Sequence, residues 1–430
     1  MPLPPPPPQA DRPLGVAIVG LGGAVATTAV AGAALIAAGR QDATGLPLAE
    51  YPDLDLAPYA GLRFGGWDLY TDDLAEAARH HGVLSPEQLD AARPHLEGLR
   101  PWPALANRRF CGGVVNGDDT ASSLREQVAR VQADLRAFRG EVGGPVVVIN
   151  LASTEAALDP ACPAYQAPSA FEAALDADDE AVSPGMVYAY AAIAAGVPYG
   201  NFTPTAAADI PALREFARER GVPVAGKDGK TGQTFVKTVL APALRARALR
   251  VDGWFSTNIL GNRDGEALRD PDSLKNKITT KGDVLGSCLG YPVDDHVVMI
   301  NYYKPRGDDK EAWDNIDVAG FLGQRMQLKV NFLCKDSVLA APLALEIARC
   351  LELAHRKGQG GVVEAMGAFF KAPATQDGSA PEHAFDRQHR RLLAWLEAAS
   401  AQADVARDAV AVAADDGNGA EASAGELVGA

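Results

Sequence analysis

Short β-branched apolar runs alternate along this chain with longer alanine-rich stretches. Residues 15–19 (Gly-Val-Ala-Ile-Val) form an unbroken apolar run, as a strand covered on both faces requires. Glycines at 20, 22 and 23 interrupt it, and the alanine-rich residues 24–39 predict a helix. Ser85-Pro86-Glu87-Gln88 reads as a helix start, with serine as cap and proline in the first turn. Residues 122–139 predict a helix and 145–150 a second buried strand. Ser183-Pro184 opens an alanine-rich helix through residue 195, and 221–226 read as a strand entering another glycine turn. This alternation predicts an α/β fold, a doubly wound parallel sheet of Rossmann type. Beyond about residue 232 the rhythm changes. Strand-like stretches at 296–303 and 327–332 have fewer helices between them, which predicts a second, mainly antiparallel α+β domain. A helical pattern returns at 340–350, where the chain is expected to rejoin the first domain. No internal repeat is evident.

The bulk numbers sharpen this picture. At 430 residues the chain has room for two domains of ordinary size. The prolines at 4–8 predict a disordered segment over 1–13. Residues 401–430, rich in Ala, Asp, Glu and Gly, predict another. Between them the expected division is a nucleotide-binding domain over 14–234, an inserted domain over 235–337, and a return segment over 338–400. The apolar run 16–38 is broken by glycines and reads as strand, turn and helix rather than a membrane span, and no signal peptide is evident. A net charge of −15 argues against nucleic-acid or anionic-membrane partners. Five scattered cysteines suggest reduced thiols in a cytoplasmic protein. No cluster of His, Asp and Glu has metal-ligand spacing, so no metal site is expected.

Candidate chemistry starts at the first glycine turn. Gly20-Leu21-Gly22-Gly23 sits between a predicted strand and a predicted helix, the context in which small residues let the backbone approach a pyrophosphate at a helix N-terminus. Ala24 and Val25 open that helix, with Val25 at the third small position. An acid for the adenosine ribose is expected about 20 residues on. Asp42 has that spacing and Asp68 is its rival; for either alone, a solvated loop carboxylate is the plainer reading. The string Gly226-Lys227-Asp228-Gly229-Lys230-Thr231 fails as a Walker loop, because its first required glycine falls at Val224. In an acidic chain, lysines gather with aspartates between residues 254 and 310. Lys277 and Lys281 are four apart. On one helical face, repulsion and desolvation would lower their pKa values and suit them to proton transfer or oxyanion stabilisation. A solvated lysine face is the plain alternative. Asp264, Asp308 and Asp336 could orient these lysines.

At these residues the sequence resembles the myo-inositol-phosphate synthase family. The resemblance spans residues 15–373. It is carried by Gly20-Leu21-Gly22-Gly23, Gly66-Trp67-Asp68, Ser153-Thr154-Glu155, Ser183-Pro184 and Gly226-x-Asp228-x-Lys230-x-Gly232-Gln233-Thr234. It continues through Asn258-x-Leu260-Gly261-Asn262-x-Asp264-Gly265, Lys277-x-x-x-Lys281, Lys304-Pro305-x-Gly307-Asp308-x-Lys310, Asp336-Ser337 and Lys371-Ala372-Pro373. The resemblance implies an NAD enzyme that converts glucose 6-phosphate to inositol 3-phosphate with no net redox change: oxidation at C5, enolisation at C6, intramolecular aldol closure onto C1, and reduction at C5. It implies a homo-oligomer, expected to be a tetramer, and leaves any activating cation open.

By motif match, Lys277, Lys281, Lys310 and Lys371 stand at the family's catalytic lysines, and Asp228, Asp264, Asp308 and Asp336 at their polar partners. Lys277 is expected at the C5 oxygen, Lys281 and Lys310 at phosphate and enolate, and Lys371 at the C1 oxygen. Gly20 to Val25, Asp68, Ser153, Thr154 and Asp264 are the expected cofactor contacts. The chain departs from the family at Ala24-Val25-Ala26 (for Asn-Asn-Gly), Lys227 (for Asp), Ile259 (for His), Arg263 (for Asn) and residues 201–206 (Asn-Phe-Thr-Pro-Thr-Ala for Asn-Gly-Ser-Pro-Gln-Asn). These edges leave open a related enzyme acting on another sugar phosphate. An ordinary dehydrogenase would instead accumulate NADH, and a binding module would have no need of four lysines.

Overall fold

A computed structural model describes residues 12–111, 122–261 and 284–404. The first part of the chain supplies β1 (Leu14–Val19), α1 (Ala24–Ala37), β2 (Leu62–Asp68), α2 (Leu74–His81), α3 (Pro86–Leu96), β3 (Trp102–Pro103) and α4 (Arg108–Cys111). It continues with α5 (Leu124–Val142), β4 (Val146–Asn150), α6 (Pro168–Asp176), α7 (Pro184–Ala194), β5 (Tyr199–Asn201), α8 (Pro211–Glu219) and β6 (Pro223–Gly226). These strands form a seven-stranded sheet in the order β11-β6-β5-β4-β1-β2-β3, where β11 is Gly361–Val362. Every pairing in it is parallel.

The apolar runs do what their pattern requires. Leu14, Val16 and Ile18 face one layer and Ala17 and Val19 the other, all nearly inaccessible, so the strand is buried on both sides. Helices start where the caps predict. Ser85 and Ser123 each form a reciprocal capping box, and the Ser183 hydroxyl accepts the Met186 N–H. β1 and β2 approach closely at Gly66: a Cβ there would lie 2.0 Å from the Ile18 carbonyl oxygen. β2 lies on one side of β1 and β4 on the other, so the strand order reverses at β1. The crevice outside the carboxyl ends of β1 and β4 is where ligands bind in such sheets.

The second sheet is four-stranded, in the order β10-β9-β7-β8. It comprises β7 (Arg250–Leu260), β8 (Asp295–Tyr302), β9 (Asp309–Ala319) and β10 (Arg325–Lys335). β9 is antiparallel to both β7 and β10, while β7 and β8 are parallel. One face is covered by α9 (Gln233–Ala246) and a helical turn at 284–289, packing Ala241, Leu285 and Leu289 on Trp254 and Ile316. α10 (Asp336–Arg356) then carries the chain from the end of β10 back to the first sheet, where it packs on β4, β5 and β6. Its Glu346 accepts the Tyr59 hydroxyl at 2.6 Å, and Arg349 reaches both Glu346 and the Ala57 carbonyl. These buried bonds tie the long α1–β2 connection to α10. α11 (Phe385–Ser400) closes the described chain against α9 and α10. The five cysteines are free thiols.

Candidate active site

All C-terminal strand ends of a parallel sheet lie on one edge, and here the loops after β1, β4, β5, β6 and β11 meet on it. The first loop is a tight turn. Gly20 and Leu21 N–H groups donate to the Trp67 carbonyl at 2.8 and 3.0 Å, and Gly20 takes φ +89, a left-handed value that favours glycine. Gly22 N–H donates to Asp68 Oδ2 at 2.9 Å, and a Cβ on Gly22 would press on that carboxylate at 3.2 Å. Gly23 caps α1 with no side chain over the helix end and no acid in the first turn. The bare, positively polarised N-terminus, the glycine backbone and the adjacent carboxylate fit a dinucleotide. Asp68 ends β2 beside the glycine turn rather than lying in a solvated loop. Asp42 is exposed, and its carboxylate accepts the nearby Thr44 N–H. Residues 38–61 separate α1 from β2, so the end of β2 comes later in the chain than the usual spacing of about 20 residues.

The loops after β4, β5 and β6 are stitched together. Phe202 N–H donates to the Asn150 carbonyl at 3.0 Å, Asp228 N–H to Thr203 at 3.2 Å and Gly229 N–H to Phe202 at 2.8 Å. In the first of these loops Ser153 is half-buried and Thr154 is buried. Buried Thr154 Oγ1 and Asn201 Oδ1 have no hydrogen-bond partner among the described residues. They are polar atoms for which a ligand at this edge would supply partners.

The 227–232 loop then gathers two lysine–aspartate pairs. Lys371 Nζ lies 2.6 Å from Asp228 Oδ1, both groups nearly inaccessible, and Lys371 N–H also donates to the Asp228 carbonyl at 2.6 Å. Lys310 Nζ lies 3.0 Å from Asp336 Oδ1, which also accepts the Thr231 hydroxyl at 3.1 Å. Gly232 lies against the Lys310 side chain, with the nearest approach to a built Cβ at 3.8 Å. Asp228 sits at φ +61, unusual for a residue with a side chain, and its bonds to Thr203 and Lys371 hold it there.

Comparison with known proteins meets this geometry. The family model for myo-inositol-1-phosphate synthase, an NAD-binding family, matches residues 51–397. Inositol-3-phosphate synthase 1 of Bacteroides thetaiotaomicron is 41% identical over 407 residues, covering 89% of this chain and 94% of that protein. The chain belongs to the myo-inositol-1-phosphate synthase family. Inositol-3-phosphate synthase of Spirodela polyrhiza is 30% identical, covering 78% of this chain and 70% of that protein. The crystal structure of inositol-3-phosphate synthase from Caenorhabditis elegans superposes with a TM-score of 0.83 at 26% identity, covering 91% of this chain and 86% of that one.

Within this synthase family frame, the expected site residues fall into three groups. Lys310, Lys371, Asp228 and Asp336 pair as described. Asp308 holds a helix end. Its carboxylate accepts the Ser337 N–H at 3.2 Å and the Ser337 hydroxyl at 2.7 Å, and its carbonyl accepts the Asp336 N–H at 3.2 Å. It thereby holds the first turn of α10, which carries Asp336. Lys277, Lys281 and Asp264 lie outside the described residues.

Three buried ionisable groups escaped the residue-by-residue reading. Glu155 follows β4, and burial pushes its carboxyl up to about 7, opposed by hydrogen bonds from Ser183 and the Gly185 N–H. Burial lowers Lys230 to about 7; its ammonium donates to Gln388 Oε1 on α11 and lies over the Phe385 ring. Burial also lowers Lys237 on α9 to about 8, where it meets His296 Nε2 at 2.7 Å. Glu155 and Lys230 were visible only as letters inside motifs. Lys237 carried the helical spacing from Gln233 and Thr234 as its sole signal.

Proposed function

We propose that this chain cyclises D-glucose 6-phosphate to myo-inositol 3-phosphate, an isomerisation in which NAD is reduced and reoxidised within one turnover. The observation that carries the reading is the two lysine–aspartate contacts that border the 227–232 loop, one through Asp228 and one through Thr231, at the same sheet edge as the dinucleotide turn, in a chain that covers nearly all of a bacterial inositol-3-phosphate synthase. When bound, NAD supplies the hydride acceptor and donor for C5.

The chain's own residues do the remaining work. The glycine turn and the α1 N-terminus hold the pyrophosphate, and Asp68 takes the adenosine ribose hydroxyls. Ser153 and Thr154 border the crevice after β4, and Asp264 joins the cofactor contacts. Lys371 stands where a cation is needed at the C1 oxygen during ring closure, with Asp228 fixing its direction. Lys310, oriented by Asp336, neutralises phosphate and enolate charge together with Lys281, and Lys277 serves the C5 oxygen. In a site closed to water such fixed charges need no reorganisation as oxyanions develop.

The exposed face of the four-stranded sheet supports assembly. Phe255, Val297, Met299 and Leu333, with Phe321 and Leu322 at the β9–β10 hairpin, are large apolar side chains open to solvent. A homotetramer that covers them fits. No helix among the described residues is long and apolar enough to cross a membrane, and a cytoplasmic enzyme fits the free thiols.

Purified protein given NAD and ¹³C-labelled glucose 6-phosphate should yield an inositol phosphate by NMR with no net NADH. Accumulating NADH would establish a dehydrogenase instead. Untouched glucose 6-phosphate, with turnover of a different sugar phosphate, would move the assignment to that substrate.

A further inference from the structure

Phe202 stands directly after β5 and against the loop that carries Asp228. Its ring lies on the backbone of Gly229. A Cβ built on Gly229 would fall 2.0, 2.1 and 2.4 Å from three ring carbons. Gly229 is not among the residues with positive φ, so its backbone does not require glycine. Only the ring requires it. The same two segments are joined by the Gly229 N–H to the Phe202 carbonyl and the Asp228 N–H to the Thr203 carbonyl, while Gly229 bridges to Phe370 on its other side. Phe202 is therefore one residue removed, through covalent and packing contacts, from the Asp228 carboxylate that holds Lys371.

We propose that Phe202 and Gly229 form a ring-over-glycine latch that fixes the Asp228–Lys371 pair, making Phe202 a positioning residue for the reaction. This rests on the cyclase reading for its kinetic consequence and on the packing alone for its structural one. The bulk of the ring is accepted by the bare Cα of Gly229. A methyl group at 229 must displace the ring or the loop, and Asp228 is the next residue along that loop.

Two readouts test it on the full-length protein. In kinetics with NAD and glucose 6-phosphate, Gly229→Ala should lower kcat about 100-fold, the size of effect that a displacement near 1 Å produces, with NAD affinity within about twofold. Adding Phe202→Gly to Gly229→Ala should recover at least about tenfold of the loss. In parallel, a lysine-acylating reagent read by mass spectrometry should label Lys371 faster in Gly229→Ala than in the parent protein, and at an intermediate rate in the double variant, where the clash is relieved but the ring is gone. Should Gly229→Ala not fold, Phe202→Gly alone, which removes bulk, takes the same two measurements and should show lower kcat and faster labelling. Unchanged Lys371 labelling in the single variant, or a double variant no better than the single, overturns the latch. If the parent protein leaves glucose 6-phosphate untouched, the cyclase reading fails while the labelling still decides the latch.

Discussion

At the scale of single residues, charge burial decides what a substitution does. Asp228→Asn keeps the shape of the side chain and strips the counter-ion from a buried ammonium. Breaking a buried pair from one side costs about 3–5 kcal/mol, so this variant should lose much of its stability as well as turnover, read by chemical denaturation and by kcat. Lys371→Met leaves the buried Asp228 carboxylate unpaired in turn, whereas the double variant Asp228→Asn/Lys371→Met removes both charges and should be more stable than either single variant while losing activity. A double variant no more stable than the singles would remove the uncompensated charge from the explanation. Asp68→Ala, by contrast, should weaken NAD binding about tenfold and touch kcat little, measured by titration of the cofactor. Glu155 makes a prediction about pH. Its folded pKa near 7 lies above the ordinary glutamate value of 4.5, so the folded state holds the proton more tightly. That stabilisation is fully present below about pH 4.5 and is lost as pH rises through about 7, amounting to at most about 3 kcal/mol. Glu155→Gln should therefore flatten the fall in Tm between pH 5 and 8; an unchanged slope would place the titration elsewhere.

At the scale of elements, local signals explain what could be read in advance. β1, its glycine turn, α1, β4 and the helices capped by Ser85 and Ser183 were legible because each is written in adjacent residues: an apolar run, a small-residue turn, a hydroxyl before a proline. β2 was not, since Gly65-Gly66-Trp67 looks like a turn. Its glycines are there because the neighbouring strand leaves no room: Trp102 and Phe138 crowd Gly65 as Ile18 crowds Gly66. Gly66→Ala should accordingly separate β1 from β2 and give a large Tm loss or insoluble protein, whereas Ser85→Ala should cost only about 1 kcal/mol. β9 was hidden for the opposite reason. Its inward positions include Lys310 and Asp314 beside Ala312 and Ile316, so polar residues occupy the face that a periodicity reading reserves for apolar ones. Asp314 is held there by Trp254 Nε1–H at 2.8 Å and the Ser256 hydroxyl at 2.6 Å.

At the scale of the whole molecule, the site is an assembly of distant segments. The hairpin tip between β9 and β10 presents Phe321 and Leu322 at 88% and 79% exposure, the most open large apolar side chains among the described residues. Replacing both with Glu should reduce the assembled mass in light scattering from the four times 45.0 kDa that the proposed tetramer predicts toward smaller species; an unchanged mass would put the interface elsewhere on the sheet. The contact between Asp228 and Lys371 joins residues 143 positions apart. During synthesis at about 5–20 residues per second, roughly 7–30 s pass between the appearance of the acid and that of its counter-ion. The glycine turn, β1, β2 and β4 all emerge before that interval begins. The nascent chain thus has the parts of its nucleotide crevice well before it can neutralise the centre of its catalytic edge, and the ribosome releases the two halves of the chemistry in that order.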